Sequence, residues 1–278
     1  MTEITAHHGL LKDINLHVDD TGGNGRPVVL IHGWPLSGES WAHQVAAFEA
    51  AGHRVVTYDR RGFGRSDKPL TGYSYDTLTE DLHAVLEALD LNDVTLVGFS
   101  MGGGEVARYF TKYGAERLRS VVFAAAVPPY LLKTPGNPDG PLEATEAAKM
   151  TAGLTANQDT FYDDFTKNFF SVDGQLVVSE EERQTALTLA HQAFKPAALE
   201  AMASFANTDF REDLEKVTVP TLVIHGDGDA VVPFEGSGAR THAAIAGSEL
   251  HVIAGGPHGI NASHPEEFNR VILEFLAR

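Results

Sequence analysis

The chain has 278 residues, of which 43% are hydrophobic, 21% charged and 9% aromatic, an ordinary globular composition that excludes disordered and fibrous classes. Its 38 Asp and Glu outweigh 21 Lys and Arg, and a formal charge of −17 makes a nucleic-acid backbone or an anionic membrane surface a poor partner, since clustered cations bind both. There are no cysteines, which removes disulfides, thiolate-held metals and thiol nucleophiles together.

The first nine residues lack the basic-then-apolar layout of a secretory signal. The longest unbroken apolar stretch, Val121–Val127, falls far short of the roughly 20 residues that a membrane helix needs. A cytoplasmic protein is the expectation. Lys12–Asp19 predicts a half-exposed edge strand, antiparallel to its neighbour. Pro27–Ile31 predicts a buried strand, Ser37–Ala51 a helix and Arg54–Tyr58 another strand. Leu78, Leu82, Val85, Leu86 and Leu89 recur at i, i+4, i+7, i+8 and i+11, the stripe of an amphipathic helix. Val94–Val97 and Ser120–Ala124 are strands flanking a helix over Gly103–Tyr113.

From Pro128 to Phe210 no strong strand pattern occurs, and Ala, Phe, Glu and Asp fall at helical spacing, which predicts a helical insertion. The earlier rhythm then resumes with strands at Thr221–Ile224 and Leu250–Ile253 and helices at Phe234–Ala246 and His264–Leu276. Most of these strand segments are apolar throughout rather than alternating, as when helices cover both faces of a parallel sheet. Strand–helix alternation of this kind predicts an open α/β sheet with right-handed crossovers. Residues 1–127 and 211–278 form its core, with 128–210 inserted.

Gly98-Phe99-Ser100-Met101-Gly102 fits G-x-S-x-G with a strand running in and a helix running out. That setting produces a sharp turn that lifts a serine hydroxyl above the sheet edge, with glycines where side chains would strike crossing backbone. A serine needs a base, and the base an orienting acid. His258, in Gly255-Gly256-Pro257-His258-Gly259, follows the last strand, and Asp229 follows Thr221–Ile224; Asp227 competes with it for the acid. The order Ser, Asp, His and the placement on loops at strand carboxyl ends suit nucleophilic catalysis in an α/β sheet. His32-Gly33-Trp34-Pro35 follows the strand Pro27–Ile31, so the N–H groups of Trp34 and Met101 are the expected oxyanion donors, with His32 a buried brace. Trp34, Phe99, Met101, Val127 and Leu131 adjoin these motifs and are candidate pocket residues. The Phe161, Phe165, Phe169 stripe is expected in the core, with Phe161 and Phe165 as candidate acyl-pocket walls. Asp59–Ser66 carries three arginines but not the spacing of a phosphate loop, and is expected to pair its charges near the sheet edge. His7-His8 makes a poor metal site, since adjacent side chains diverge.

The segments Val29–Gly38, Val56–Ser66, Val94–Tyr109 and Asn137–Gly140, together with the loops of Asp229 and His258, resemble the α/β-hydrolase superfamily, and within it the cofactor-free haloperoxidase and aryl esterase group. The resemblance spans nearly the whole chain. It implies an eight-stranded, mostly parallel sheet with a helical cap, a Ser100–His258–Asp229 triad that prefers Asp229 to Asp227, and no metal, haem or other cofactor. It further implies hydrolysis of small esters and exchange of the acyl-enzyme with hydrogen peroxide, releasing a peracid that oxidises halide outside the site. Pro35 beside Trp34 matches the perhydrolytic members. The implied partners are a small ester, or a carboxylic acid with peroxide, and the group admits a homo-oligomer, a trimer or larger. Ser100 argues against the dehalogenases and epoxide hydrolases of the fold, whose nucleophile is Asp. A lactamase, a carbon–carbon bond hydrolase, or a binding protein on the same fold are the alternatives. Residues 128–210 hold twelve acidic and five basic residues, a net −7, so neutral esters are expected over anionic ones.

Overall fold

Each buried strand foreseen in the sequence falls in one eight-stranded sheet of the computed structural model, which describes residues 2–6 and 13–278. The His7-His8 pair and Lys12, the first residue of the predicted edge strand, lie outside the described residues. In chain order the strands are β1 (Thr2–Ala6), β2 (Ile14–Asp20), β3 (Pro27–Ile31), β4 (Arg54–Tyr58), β5 (Val94–Phe99), β6 (Leu118–Ala124), the short β7 (Ser171–Val172) and β8 (Gln175–Leu176), β9 (Thr221–Gly226) and β10 (Glu249–Ile253). The sheet runs β1-β2-β4-β3-β5-β6-β9-β10, and β7 pairs with β8 in a separate hairpin. From β4 to β10 every pairing is parallel, whereas β1 and β2 are antiparallel additions at one edge.

No sequence signal predicts β1. It is five residues long, buries only Ile4 and Ala6, and owes its strand state to pairing Thr2 through Ala6 with Val18 through Ile14. The β7–β8 hairpin inside the helical insertion is equally unannounced, since two-residue strands carry no periodicity.

Side chains alternate across the sheet into two cores. Val29, Ile31, Val56, Tyr58, Leu96 and Val121 face one way and pack with α2 (Tyr75–Ala88) and α3 (Gly102–Tyr113). Val28, Leu30, Val55, Val97, Val122 and Ile224 face the other, against Trp41, Phe48 and Phe268 from α1 (Ala42–Ala50), its preceding turn, and α11 (Pro265–Leu276). The α2 stripe is buried at Leu78, Leu82, Val85 and Leu86, each contributing about 1.5–3 kcal/mol of transfer free energy. Ser74 caps that helix by accepting from Thr77 N.

Between β6 and β9 the chain makes α4 (Ala144–Ala156), α5 (Gln158–Phe169), α6 (Glu180–His191), α7 (Lys195–Asn207) and the single turn α8 (Arg211–Leu214). After β9 come α9 (Gly238–Ala244) and, past β10, α10 (Ile260–Ser263). Asn137 fastens the start of the insertion, donating from Nδ2 to the carbonyls of Tyr130 and Leu132 while its Oδ1 accepts from Arg240 at 2.7 Å. The arginines of Asp59–Ser66 are paired, Arg60 with Glu105 at 2.5 Å, Arg61 with Asp81 at 2.5 Å and Arg65 with Asp59 at 3.0 Å.

Candidate active site

Ser100 sits on the turn joining β5 to α3 with φ of +54°, a left-handed conformation that a serine adopts only when its surroundings impose it. Its N–H donates to Ala124 O at 2.9 Å, tying the turn to the end of β6. The flanking glycines answer to close approach. A Cβ at Gly98 would stand 2.6 Å from Gly102 O, and one at Gly102 2.5 Å from Ile31 O. The result is a hydroxyl held above the carboxyl edge of the sheet.

The turn after β10 brings in His258 and the loop after β9 brings in Asp229. Ser100 Oγ lies 2.9 Å from His258 Nε2, and His258 Nδ1 lies 2.7 Å from Asp229 Oδ2. Asp229 Oδ1 accepts from Val231 N at 2.9 Å and Val232 N at 2.8 Å, and Oδ2 also lies 3.2 Å from His225 Nε2. Burial alone would raise the Asp229 pKa. The charge interaction with His258 and the hydrogen bonds from His225 and His258 outweigh it, holding the carboxyl far below the usual carboxylate range. With an acceptor fixed at Nδ1, His258 carries its proton there and leaves Nε2 free for the serine proton. Asp227 is turned away, its Oδ1 accepting from Gly255 N at 2.6 Å.

Trp34 and Met101 are 3% and 1% exposed, and neither main-chain N–H finds an acceptor among the described residues. Both amides belong to the loops after β3 and β5 that flank Ser100. The Trp34 indole is anchored by donating to Ala198 O at 3.0 Å, which ties the β3 loop to α7. His32 braces the same loop from below. Arg60 N donates to its Nε2 at 2.9 Å, its Nδ1 bonds Gly33 O at 2.8 Å, and burial, then the Arg60 charge, push its pKa down to about 3. His32 is therefore neutral and engaged at both nitrogens.

A cavity of about 790 Å³ opens on Ser100, with Trp34, Val127, Leu131, Phe161 and Phe165 in its wall. Phe205, Met150, Leu142 and Val232 add to the apolar surface, and Glu143, Glu146, Asp164 and a single cation, Lys149, contribute charge. Phe165 and Phe205 meet the Trp34 ring edge-on at 5.1 and 5.8 Å. Phe99, expected in the pocket, lies elsewhere. It belongs to the opposite core, 6.0 Å from the Trp41 ring and 5.2 Å from His258, because alternation along β5 sends its side chain to that face. The side chain of Met101 likewise enters the core rather than the cavity wall.

The Phe161, Phe165, Phe169 stripe is divided by its helix. Phe161 and Phe165 reach the cavity, whereas Phe169 stands edge-on to His258 at 5.0 Å, and its carbonyl accepts from Gly259 N at 2.9 Å. The sequence does not announce Phe169 and His225 beside the Ser100, His258 and Asp229 side chains, although a histidine following an apolar strand run four residues before Asp229 is a visible signal. Among the described residues no group of three or more His, Asp and Glu side chains is arranged to hold a metal.

The profile of the alpha/beta hydrolase fold family matches residues 26–265. The chain is 43% identical to a non-heme chloroperoxidase of Kitasatospora aureofaciens, covering 91% of this chain and 93% of that one. It is 35% identical to a bifunctional esterase/perhydrolase of Acinetobacter calcoaceticus over 95% and 96% of the two chains. The crystal structure of a bromoperoxidase from Bacillus anthracis superposes with a TM-score of 0.96 at 51% identity, covering 100% of this chain and 99% of that one.

Proposed function

Because the chain belongs to the alpha/beta hydrolase fold family, we propose that it is a serine carboxylesterase and perhydrolase acting through an acyl-enzyme on Ser100. The observation that carries this reading is the unbroken chain Ser100 Oγ, His258 Nε2, His258 Nδ1 and Asp229 Oδ2, at 2.9 and 2.7 Å, at the foot of an apolar cavity.

In the first half-reaction His258 Nε2 takes the Ser100 proton as Oγ attacks the acyl carbonyl. The oxyanion is received by the N–H groups of Trp34 and Met101, each worth about 2.7–4 kcal/mol in the transition state. Asp229 stabilises the imidazolium without taking its proton. His258 then protonates the departing alkoxide oxygen, releasing the alcohol, or the departing hydroxyl, releasing water, when the substrate is a carboxylic acid. In the second half-reaction His258 deprotonates water or hydrogen peroxide, which attacks the acyl carbon and regenerates Ser100. Water gives the acid and peroxide gives the peracid, a free oxidant for halide. The esterase/perhydrolase relative and the haloperoxidase relatives support both acceptors.

The cap reading of residues 128–210 is part of the proposal, supported by α4, α5 and α7 supplying cavity residues Met150, Phe161, Phe165 and Phe205. So is a preference for neutral esters, supported by the three carboxylates and one lysine of the cavity wall. Among the described residues no helix is long and apolar enough to cross a membrane. A cytoplasmic setting, expected from the layout of the sequence, and a homo-oligomer of three or more chains, implied by the family resemblance, belong to the proposal, and analytical ultracentrifugation decides the second.

The test is hydrolysis of a short-chain p-nitrophenyl ester, which Ser100→Ala should reduce to background. Undiminished turnover in that variant overturns the reading. Bromination should require a short carboxylic acid together with peroxide and persist in a chelator, and halogenation without the acid overturns the perhydrolase half.

A further inference from the structure

His225 is the penultimate residue of β9, is fully buried, and takes no part in the mechanism above, yet its ring lies against the triad carboxylate. Its Nε2 stands 2.8 Å from Val232 O and 3.2 Å from Asp229 Oδ2. A carbonyl only accepts, so the proton is on Nε2, shared between the carbonyl and the carboxylate. Nδ1 is buried without a partner among the described residues. Beyond it lies Gly238 of α9, where a Cβ would come within 2.5 Å of that nitrogen. Protonating Nδ1 would strand a charged N–H where no acceptor exists, so the ring is held neutral in one tautomer.

The other groups around the ring leave this assignment intact. Ser237 Oγ donates to Pro233 O at 2.7 Å, Asp227 accepts from Gly255 N at 2.6 Å, and Arg240 of α9 bonds Asn137 Oδ1 at 2.7 Å. The Phe234 ring, 5.7 Å away, is uncharged. Asp229, and His258 behind it, are thus the ionisable groups that His225 addresses. Val232 closes the circuit, since its N–H donates to Asp229 Oδ1 at 2.8 Å while its carbonyl accepts from His225.

We propose that His225 is a positioning residue of the catalytic carboxylate, a neutral second donor to Asp229 Oδ2 that aims this oxygen at His258 Nδ1 and moderates the negative charge the imidazole experiences. A neutral donor suits this place, because a cation 3.2 Å from Oδ2 would compete with the imidazolium formed during turnover. The inference rests on the Ser100–His258–Asp229 reading.

The experiment compares kcat, KM and the pH dependence of kcat/KM for the parent, His225→Leu and His225→Gln on a p-nitrophenyl ester, with Ser100→Ala run beside them. Losing a hydrogen bond to a charged group predicts a fall of roughly 10- to 100-fold in kcat for His225→Leu at unchanged KM. With one donor gone, more of the carboxylate charge acts on His258, its imidazolium is favoured, and the acid limb of kcat/KM moves to higher pH. His225→Gln keeps an N–H donor and should restore the limb and most of the rate. Gly238→Ala, which presses on the ring from α9, should move the limb the same way, and it serves if His225→Leu does not fold. An unmoved limb in both His225→Leu and Gly238→Ala, or a Gln variant as impaired as Leu, overturns the role of His225. Retained activity in Ser100→Ala instead overturns the triad reading beneath it.

Discussion

Asp229→Asn tests how the triad is oriented, because four N–H groups surround the native carboxylate. Val231 and Val232 N–H meet Oδ1 at 2.9 and 2.8 Å, and His258 Nδ1 and His225 Nε2 meet Oδ2 at 2.7 and 3.2 Å. An amide keeps one accepting end, so its NH₂ must confront donors on one side. Placed at Oδ1 it would face two main-chain N–H groups that cannot change, stranding buried donors at about 1–3 kcal/mol each. Placed at Oδ2 it faces His225 Nε2–H, which keeps Val232 O as its acceptor at 2.8 Å, and His258, which can move its proton to Nε2 and accept at Nδ1 instead. The second orientation wins, and it disables the base, since an Nε2–H now points at Ser100 Oγ and cannot take its proton. We expect kcat to fall by about 10⁴-fold, or roughly 5.4 kcal/mol of transition-state stabilisation, with KM nearly unchanged. Near-UV circular dichroism should match the parent, because shape and volume are conserved. Stopped-flow release of p-nitrophenol and the rate of Ser100 labelling by a serine-directed phosphonate would measure the loss. A variant within tenfold of the parent would refute the account of Asp229 as the group that selects the His258 tautomer.

Folding stability should carry the signature of His32. Its imidazole titrates near 3 in the folded protein and near 6.5 when unfolded, so the unfolded chain binds the extra proton between these values. Stability is therefore lost as pH falls through that window, at up to about 1.4 kcal/mol per pH unit from this group. Urea midpoints across acidic pH should fall more steeply for the parent than for His32→Asn, and parallel slopes would contradict this. Phe169→Ala empties a buried site packed on His258 and Phe99, and should destabilise by about 3–5 kcal/mol while lowering kcat more than it raises KM. A kinetic effect confined to KM would assign Phe169 to substrate contact instead. The carboxylates of the cavity wall should make a neutral methyl ester turn over about tenfold better than the matching anionic half-ester at low salt, the gap narrowing as salt is added. Equal kcat/KM for the pair would show that those carboxylates are screened.

The buried strands were legible because helices cover both faces of the parallel sheet, so Val28–Ile31 and Leu222–Ile224 read as unbroken apolar runs. The nucleophile turn was legible for a similar local reason, since Gly98 and Gly102 bracket Ser100 within five residues and the crossing backbones leave no room for a Cβ at either. The loop of Trp34, the proposed oxyanion donor, could be placed from its position after β3. β1 escaped notice because a two-sided pattern over Thr2–Ala6 becomes a strand only against β2. Phe99 stays out of the pocket because adjacency to Ser100 in sequence does not set which face of β5 a side chain takes.

What the amino-acid order determined by itself is local, namely the strand and helix segments, the strained turn that must carry Ser100, and the loops on which Asp229 and His258 stand. Residue type and spacing left both carboxylates open, the family resemblance preferred Asp229, and the contact itself is a matter of tertiary structure. Asp227 and Asp229 are two residues apart on one loop, and only folding turns the first to Gly255 N and the second to His258. The same holds for the division of the α5 phenylalanines between cavity and histidine, and for His225 behind the acid. Backbone conformation and burial periodicity follow from neighbours within a few residues. A hydrogen bond such as that between His258 and Ser100 joins groups 158 residues apart, and its geometry exists only once the sheet has brought the carboxyl ends of β5, β9 and β10 together.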